Sequence, residues 1–349
     1  MNKVKNEHYV PQCYLRNFRI SGTDGKINVF DKKMEQIRLN QNISDIASER
    51  YFYDIDIDKI LGELSEEKRN DILQQMGDKY EVYKNDKTQR IEKFFSDVIE
   101  GDYSQVLMSL IEKAEKATPW HINNCYCMSE REKVLMSVCI TIQFMRTKKQ
   151  RKVIEEIYTK GYKTLLTKLY NIEYGDVNGK LSPDDFQVKI GKEGMKLTHA
   201  EIMLNSDMLI EFINIFLKHV WIIYINRTDV PFCTSDSPIV LNNPERNEFR
   251  SGTGIASKGI EIYLPLNKNV LLMMVDRRKF EDDLYKLYGK KDRLYMELFD
   301  SKLVNMLNEF QLKECFRCIY SGNSDLKFAE ELCKRNPKLK EDRDYVSVG

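Results

Sequence analysis

An α+β fold is predicted by three features of the sequence: short alternating apolar runs near the N-terminus, a long middle stretch with helical spacing, and β-like runs again after residue 220. The N-terminal and C-terminal strands are expected to form one sheet, packed against a large central helical block. Four regions follow: 1–58, a motif segment and β-hairpin joining the C-terminal sheet; 59–219, the helical block; 220–321, a β-rich region with inserted helices; and 322–349, a C-terminal helix and tail.

In order, the segment His8-Tyr-Val-Pro-Gln-Cys-Tyr-Leu-Arg-Asn-Phe18 precedes a turn cluster, SGTDG, and two short runs, KINVFDKK and EQIRLN, that read as a hairpin. Tyr51 to Tyr53 adds a short strand or extended piece. Helical spacing covers Ile60 to Met76, Gln89 to Ala117, and Ser129 to about Tyr170 with a break near Gly161. Ser129 and Glu132 have capping-box spacing, in which a hydroxyl and a carboxylate satisfy each other's free backbone N–H groups. Gly175 to Gly194 is polar and turn-rich, a surface loop or small hairpin.

A helix over Thr198 to His219 then feeds a buried strand, WIIYIN. Strands are expected at Pro231–Ser235, Ile239–Asn242, Ile260–Pro265 and Val270–Val275. Helices at Lys279–Leu287 and Asp292–Phe310, a strand at Cys315–Tyr320 and a helix at Lys327–Arg335 complete the order, and the charged tail from Asn336 should fray.

The composition of the 349 residues narrows the function classes. Lys+Arg (55) nearly equals Asp+Glu (54), which argues against a surface that is wholly a nucleic-acid or membrane footprint. With 42% apolar and 11% aromatic residues the chain buries a core. No apolar stretch of signal-peptide length follows the N-terminal lysines, and Leu209–Ile225 is interrupted by Glu211, Asn214, Lys218 and His219. A cytoplasmic protein that does not enter the membrane is therefore expected. Eight cysteines, mostly in apolar segments, suit buried thiols. The chain lacks a phosphate-binding GxxxxGK[ST] loop, GxGxxG after a strand, a GxSxG elbow, HExxH and paired CxxC sets, so the chemistries those motifs serve lose support.

Within the first segment His8, Gln12 and Arg16 stand four apart and would share one stripe if the segment were helical, with Pro11 near its first position; a core-plugging helix capped by His8 is the plainer reading. Gln143 and Arg146 lie on one side of an apolar helix. A guanidinium there needs an anion: Glu49, Glu92, Glu100, Asp236 or a ligand. Asp236, in Thr-Ser-Asp-Ser-Pro, sits at a tight turn where it could accept backbone N–H bonds or serve chemistry. The cluster Arg146–Lys152, including Lys148 and Lys149, is either a solvated helix face or a phosphate contact. His121 with Cys125 and Cys127 lacks standard zinc spacing, and Cys315 with Cys318 lies in a strand-like run in which the two side chains would face opposite sides.

Together HYVPQCYLRNF, then ERYFY at 49–53, QFMRT at 143–147, TSDSPIV at 234–240 and LPL at 264–266 resemble the bacterial "domain of unknown function 4238" family. The resemblance spans residues 8 to about 275 and places the family's polar positions on His8, Gln12, Arg16, Glu49, Gln143, Arg146 and Asp236. Cys13 departs from the pattern, standing where the family has an aromatic residue. The family implies no reaction. It weakly implies mobile or defence-related neighbourhoods, hence a partner protein of a defence system.

If these segments converge, His8, Gln12, Glu49 and Asp236 would form the catalytic set. Glu49 and Asp236 would hold Mg²⁺ or Mn²⁺, and Arg16, Gln143, Arg146, Lys148 and Lys149 would bind substrate. That set suits a nuclease or phosphoesterase acting on RNA or DNA, linked to phage defence. A metal-free version, with His8 as the acid or base, suits an RNase equally. The other reading is a non-catalytic sensor or interaction module that binds an anionic ligand or partner protein, in which the same polar groups are paired inside the core. A toxin-like transferase is a third.

Overall fold

The structure, a computed structural model, describes residues 6–85, 91, 94–95, 100–175, 179–244, 254–280, 292–323 and 326–346. The chain is α+β. Its described strands fall into three sheets, so the expected single sheet is corrected. Strands β1 (Asn6–His8) and β4 (Ser48–Arg50) form a two-stranded antiparallel ribbon. The hairpin β2 (Lys26–Asp31) and β3 (Gln36–Asn42) does join C-terminal strands. With β6 (Thr234–Ser235) and β11 (Cys318–Ser321) it makes a four-stranded sheet in the order β3-β2-β11-β6. The remaining strands, β5 (Val220–Asn226), β7 (Val240–Asn242), β8 (Glu261–Pro265), β9 (Val270–Val275) and β10 (Leu294–Leu298), form a separate five-stranded sheet, β10-β5-β9-β8-β7. Only its β10–β5 pair is parallel.

The first segment contains only one turn of α-helix, α1 (Gln12–Leu15), followed by a 3₁₀ turn over Arg16–Phe18. Proline restricts the residue before it to extended backbone, so Pro11 ends the strand side and opens the helix. His8 thus lies on β1, and the helical stripe expected of His8, Gln12 and Arg16 does not exist.

Next come α2 (Ile57–Gly62) and α3 (Glu66–Met76), where one helix over 60–76 was expected, and then α4 (Asp78–Asn85). Helix α5 spans Gly101–Glu115, and the first part of the helix expected over 89–117 lies largely outside the described residues. After α6 (Pro119–Asn124) come α7 (Glu130–Met145) and α8 (Lys148–Glu173). The Ser129–Glu132 capping box starts α7 as its spacing requires. The expected single helix breaks at 146–147, not at Gly161, because the Thr147 hydroxyl accepts from the Gln150 N–H and caps a new helix.

Asn205 acts in the same way, accepting from Met208 N and dividing the helix expected over 198–219 into α9 (Lys192–Leu204) and α10 (Ser206–Lys218). The helix expected at 279–287 lies almost wholly outside the described residues. That expected at 292–310 is instead β10 followed by α11 (Ser301–Glu314), and α12 (Lys327–Arg335) closes the order.

Helix α7 is apolar on nearly every side and packs against α5 and α10, the pattern of a helix buried all round. One core cluster joins it to α1, to the aromatic pair Phe52–Tyr53 and to the inner face of the five-stranded sheet. The described part of the tail, to Val346, is held, contrary to the expected fraying: the buried Glu156 carboxylate of α8 accepts the backbone N–H groups of Tyr345 and Val346 at 2.7 and 2.9 Å, and Arg343 pairs with Glu314. No helix among the described residues is long and apolar enough to cross a membrane.

Candidate functional site

The five sequence segments meet, with residues 7–19 at their centre. The buried Arg146 guanidinium donates to the carbonyl oxygen of His8, and its Cζ lies 3.9 Å from the Phe95 ring centroid. Tyr53, from the 49–53 segment, gives its hydroxyl to the Arg146 carbonyl at 2.7 Å and its backbone N–H to Glu7 Oε2 at 2.6 Å. The Tyr14 hydroxyl lies 2.7 Å from both the Pro265 carbonyl and Thr234 Oγ1, tying α1 to the two later segments. Gln143 accepts from the Tyr103 hydroxyl on α5.

Convergence does not make these groups accessible. His8 is 6% exposed; its Nε2 lies 3.1 Å from the Ser44 carbonyl, and its Nδ1 3.4 Å from Gln12 Nε2. These partners assign the tautomer: Nε2–H donates to Ser44, and Nδ1 accepts from the Gln12 amide. Burial, then the Arg146 charge, lowers the His8 pKa to about 4, so the ring is neutral at pH 7 and both nitrogens are engaged.

Asp236 is 1% exposed, and its carboxylate accepts from the backbone N–H groups of Phe316, Arg317 and Cys318 at 2.7, 2.7 and 2.8 Å. Burial pushes its pKa up; the three donors and Lys32 oppose that push. The side chain is a clamp holding β6 to the start of β11.

Glu49 pairs with Lys148 at 2.6 Å. Partial burial would raise its pKa, but the Lys148 ammonium holds it below the usual carboxylate range. The Lys148 ammonium also lies 4.8 Å from the Tyr9 ring centroid. Lys149 is bound to Glu314 and stacked near Tyr345. Burial, then the Asp236 charge and more weakly that of Glu49, pushes the Tyr9 phenol up, yet among the described residues no group of three or more His, Cys, Asp or Glu side chains is placed to share a metal ion.

Two of the expected polar positions reach solvent beside one another. Gln12 and Arg16 line an open groove of about 680 Å³ together with Arg19, Glu100, Ser104 and Glu112. Glu100 is the anion that Arg146 faces, at 3.7 Å, and its carboxylate is the point where the buried knot meets the groove. Arg146 Nε and Nη1 and Gln143 Nε2 have no hydrogen-bond partner among the described residues. A second cavity of about 320 Å³ shares Asn17 and Arg19 with the groove and adds Lys268, Thr228 and Asn323.

The residues missed from sequence are Arg19, which directly follows the first segment, and Glu7, Tyr14 and Tyr53, which lie beside or within the recognisable segments but carry no spacing signal. Glu100 was one of several candidate anions for Arg146.

No curated protein and no solved structure matches the chain. The sequence model of the family described as "Protein of unknown function (DUF4238)" matches residues 6–325. That span contains every segment of the knot and both walls of the groove, and the chain belongs to this family.

Proposed function

We propose that the protein binds a phosphate-bearing ligand, of the single-stranded nucleic-acid or nucleotide class, in the groove along α1. The observation that carries this reading is the contrast between the recognisable polar residues. His8, Arg146 and Asp236 are spent on internal contacts that fix residues 7–19, while Gln12 and Arg16, with Arg19, are held at the surface of that fixed segment. Rigid presentation lowers the ordering cost of binding, and a guanidinium matches phosphate oxygens in a planar, two-pronged way. Gln12, its amide N–H turned to His8, keeps its carbonyl oxygen as an acceptor for a sugar or base donor.

Hydrolysis in the same groove is the second reading, favoured by one observation: the Glu100 carboxylate lines the groove beside Arg16 and next to the buried Arg146 charge. In that version Glu100, not His8 or Asp236, activates water while the arginines neutralise the phosphoryl group.

Fluorescence polarisation with labelled single-stranded RNA and DNA, duplex DNA and inorganic phosphate as competitor tests the binding. Affinity should fall with salt and be lost on Arg16→Glu with Arg19→Glu, the fold being retained. Unchanged affinity in that double variant sinks the reading. Incubating the same oligonucleotides with Mg²⁺, Mn²⁺ or EDTA tests hydrolysis, and Glu100→Gln should stop cleavage while leaving binding in place.

A further inference from the structure

The outward face of α8 carries an apolar seam that stays exposed among the described residues. Tyr158, Tyr162, Leu165, Leu169 and Ile172 follow one another at intervals of four, three, four and three residues, the spacing of a coiled-coil seam. All five are exposed, Leu165 by 51% and Ile172 by 84%, whereas isolated exposed apolar residues on a soluble surface are ordinarily scattered. The opposite face of the same helix is the one that packs on the protein: Glu156 and Thr167 are buried, and Tyr170 meets Phe186. In heptad terms Tyr162 and Leu169 occupy a positions and Tyr158, Leu165 and Ile172 d positions, so Thr167, at f, points directly away from the seam. A second helix can approach without meeting the bulk of the protomer that carries the first.

We propose that this face binds a second copy of the chain, the two α8 helices running parallel about a twofold axis. Charge complementarity selects that occupant and direction. In a parallel pair a g position faces the e position five residues later on the partner, and here these are Lys168 and Glu173, of opposite sign and both exposed. The twofold axis makes the pair twice. In an antiparallel pair e meets e and g meets g, which gives Lys168 no acidic partner among Gly161 and Lys168. The interface is isologous, as a closed dimer requires.

Sedimentation equilibrium of the full chain over a wide concentration range tests the proposal. The wild type should show a reversible monomer–dimer equilibrium, and Leu165→Glu with Leu169→Glu should abolish the dimer without changing the circular dichroism spectrum, since both side chains lie outside the core. Lys168→Glu and Glu173→Lys should each weaken the dimer, and the two combined should restore it. A wild-type monomer at every concentration, an assembly larger than a dimer, or a dimer indifferent to the leucine changes overturns the proposal. Single charge reversals whose combination fails to restore association overturn the parallel arrangement.

Discussion

Arg146, wholly buried at the end of α7, donates to the backbone carbonyl of His8 on β1 while its guanidinium carbon lies 3.9 Å from the Phe95 ring centroid. A cation at the end of a helix is also well placed with respect to the helix dipole. The contact explains how a three-residue strand and a single helical turn hold one position: their own hydrogen bonds are few, and a charged donor reaching across from a core helix supplies the rest.

Arg146→Met should therefore cost about 3 kcal/mol, because it leaves the His8 carbonyl buried without a donor. Lysine should recover little of this, having neither the planar face for Phe95 nor the reach of the fork. Urea unfolding gives the magnitude, and amide exchange in residues 6–15 should rise more than in β5. Uniform exchange changes would show that Arg146 acts on the whole core.

Asp236→Asn should cost about 2 kcal/mol, since the amide places an NH₂ among three backbone donors that need acceptors. For the same reason Mg²⁺ or Mn²⁺ should leave the wild-type melting temperature unchanged through this side chain. A metal-induced rise in Tm that disappears in Asp236→Asn would restore a cation-binding role.

Stability should fall as the pH drops from about 6.5 toward 4. The ordinary histidine value is 6.5, and burial lowers His8 to about 4 and His199 to about 3. Between those limits the unfolded chain binds more protons than the native one, so the stabilisation is fully present above 6.5 and is lost progressively below it. For His8 the whole effect is worth about 3 kcal/mol. Denaturation midpoints measured across this range should decline, and His8→Gln should flatten the decline; an unchanged slope in that variant would mean the imidazole is not buried neutral.

Gly322→Ala should impair the groove from behind. An added Cβ would lie 2.4 Å from the Arg19 carbonyl oxygen and 2.9 Å from that of Phe18, both backbone atoms that cannot swing aside. Residues 18–19 must shift, at a cost of about 1–3 kcal/mol, and Arg19 loses its place. Oligonucleotide affinity and Tm should both decrease; if neither changes, the backbone there is more pliant than its packing implies.

Much of this was legible in the chain itself. The α+β class, the hairpin, the capping box at Ser129 and the helix over 327–335 each depend on neighbours within a few residues, and local spacing carries that information. Helix breaks at Thr147 and Asn205 were also written locally, but as caps inside runs of helical spacing, where a single hydroxyl or amide is easily outweighed by periodicity. Residue types likewise marked Asp236 as a candidate backbone acceptor and Arg146 as a cation in need of an anion.

What the chain could not fix was which polar group meets protein and which meets water. That choice depends on contacts between residues far apart in sequence: Asp236 with 316–318, Arg146 with His8 and Glu100, Glu49 with Lys148. Each is decided by how helices and sheets pack, because a buried charge must find partners wherever the packing brings them. By itself the sequence determined the kinds of elements and the segments that matter; tertiary structure alone assigned His8, Asp236 and Arg146 to the interior and left Gln12, Arg16 and Arg19 facing outward.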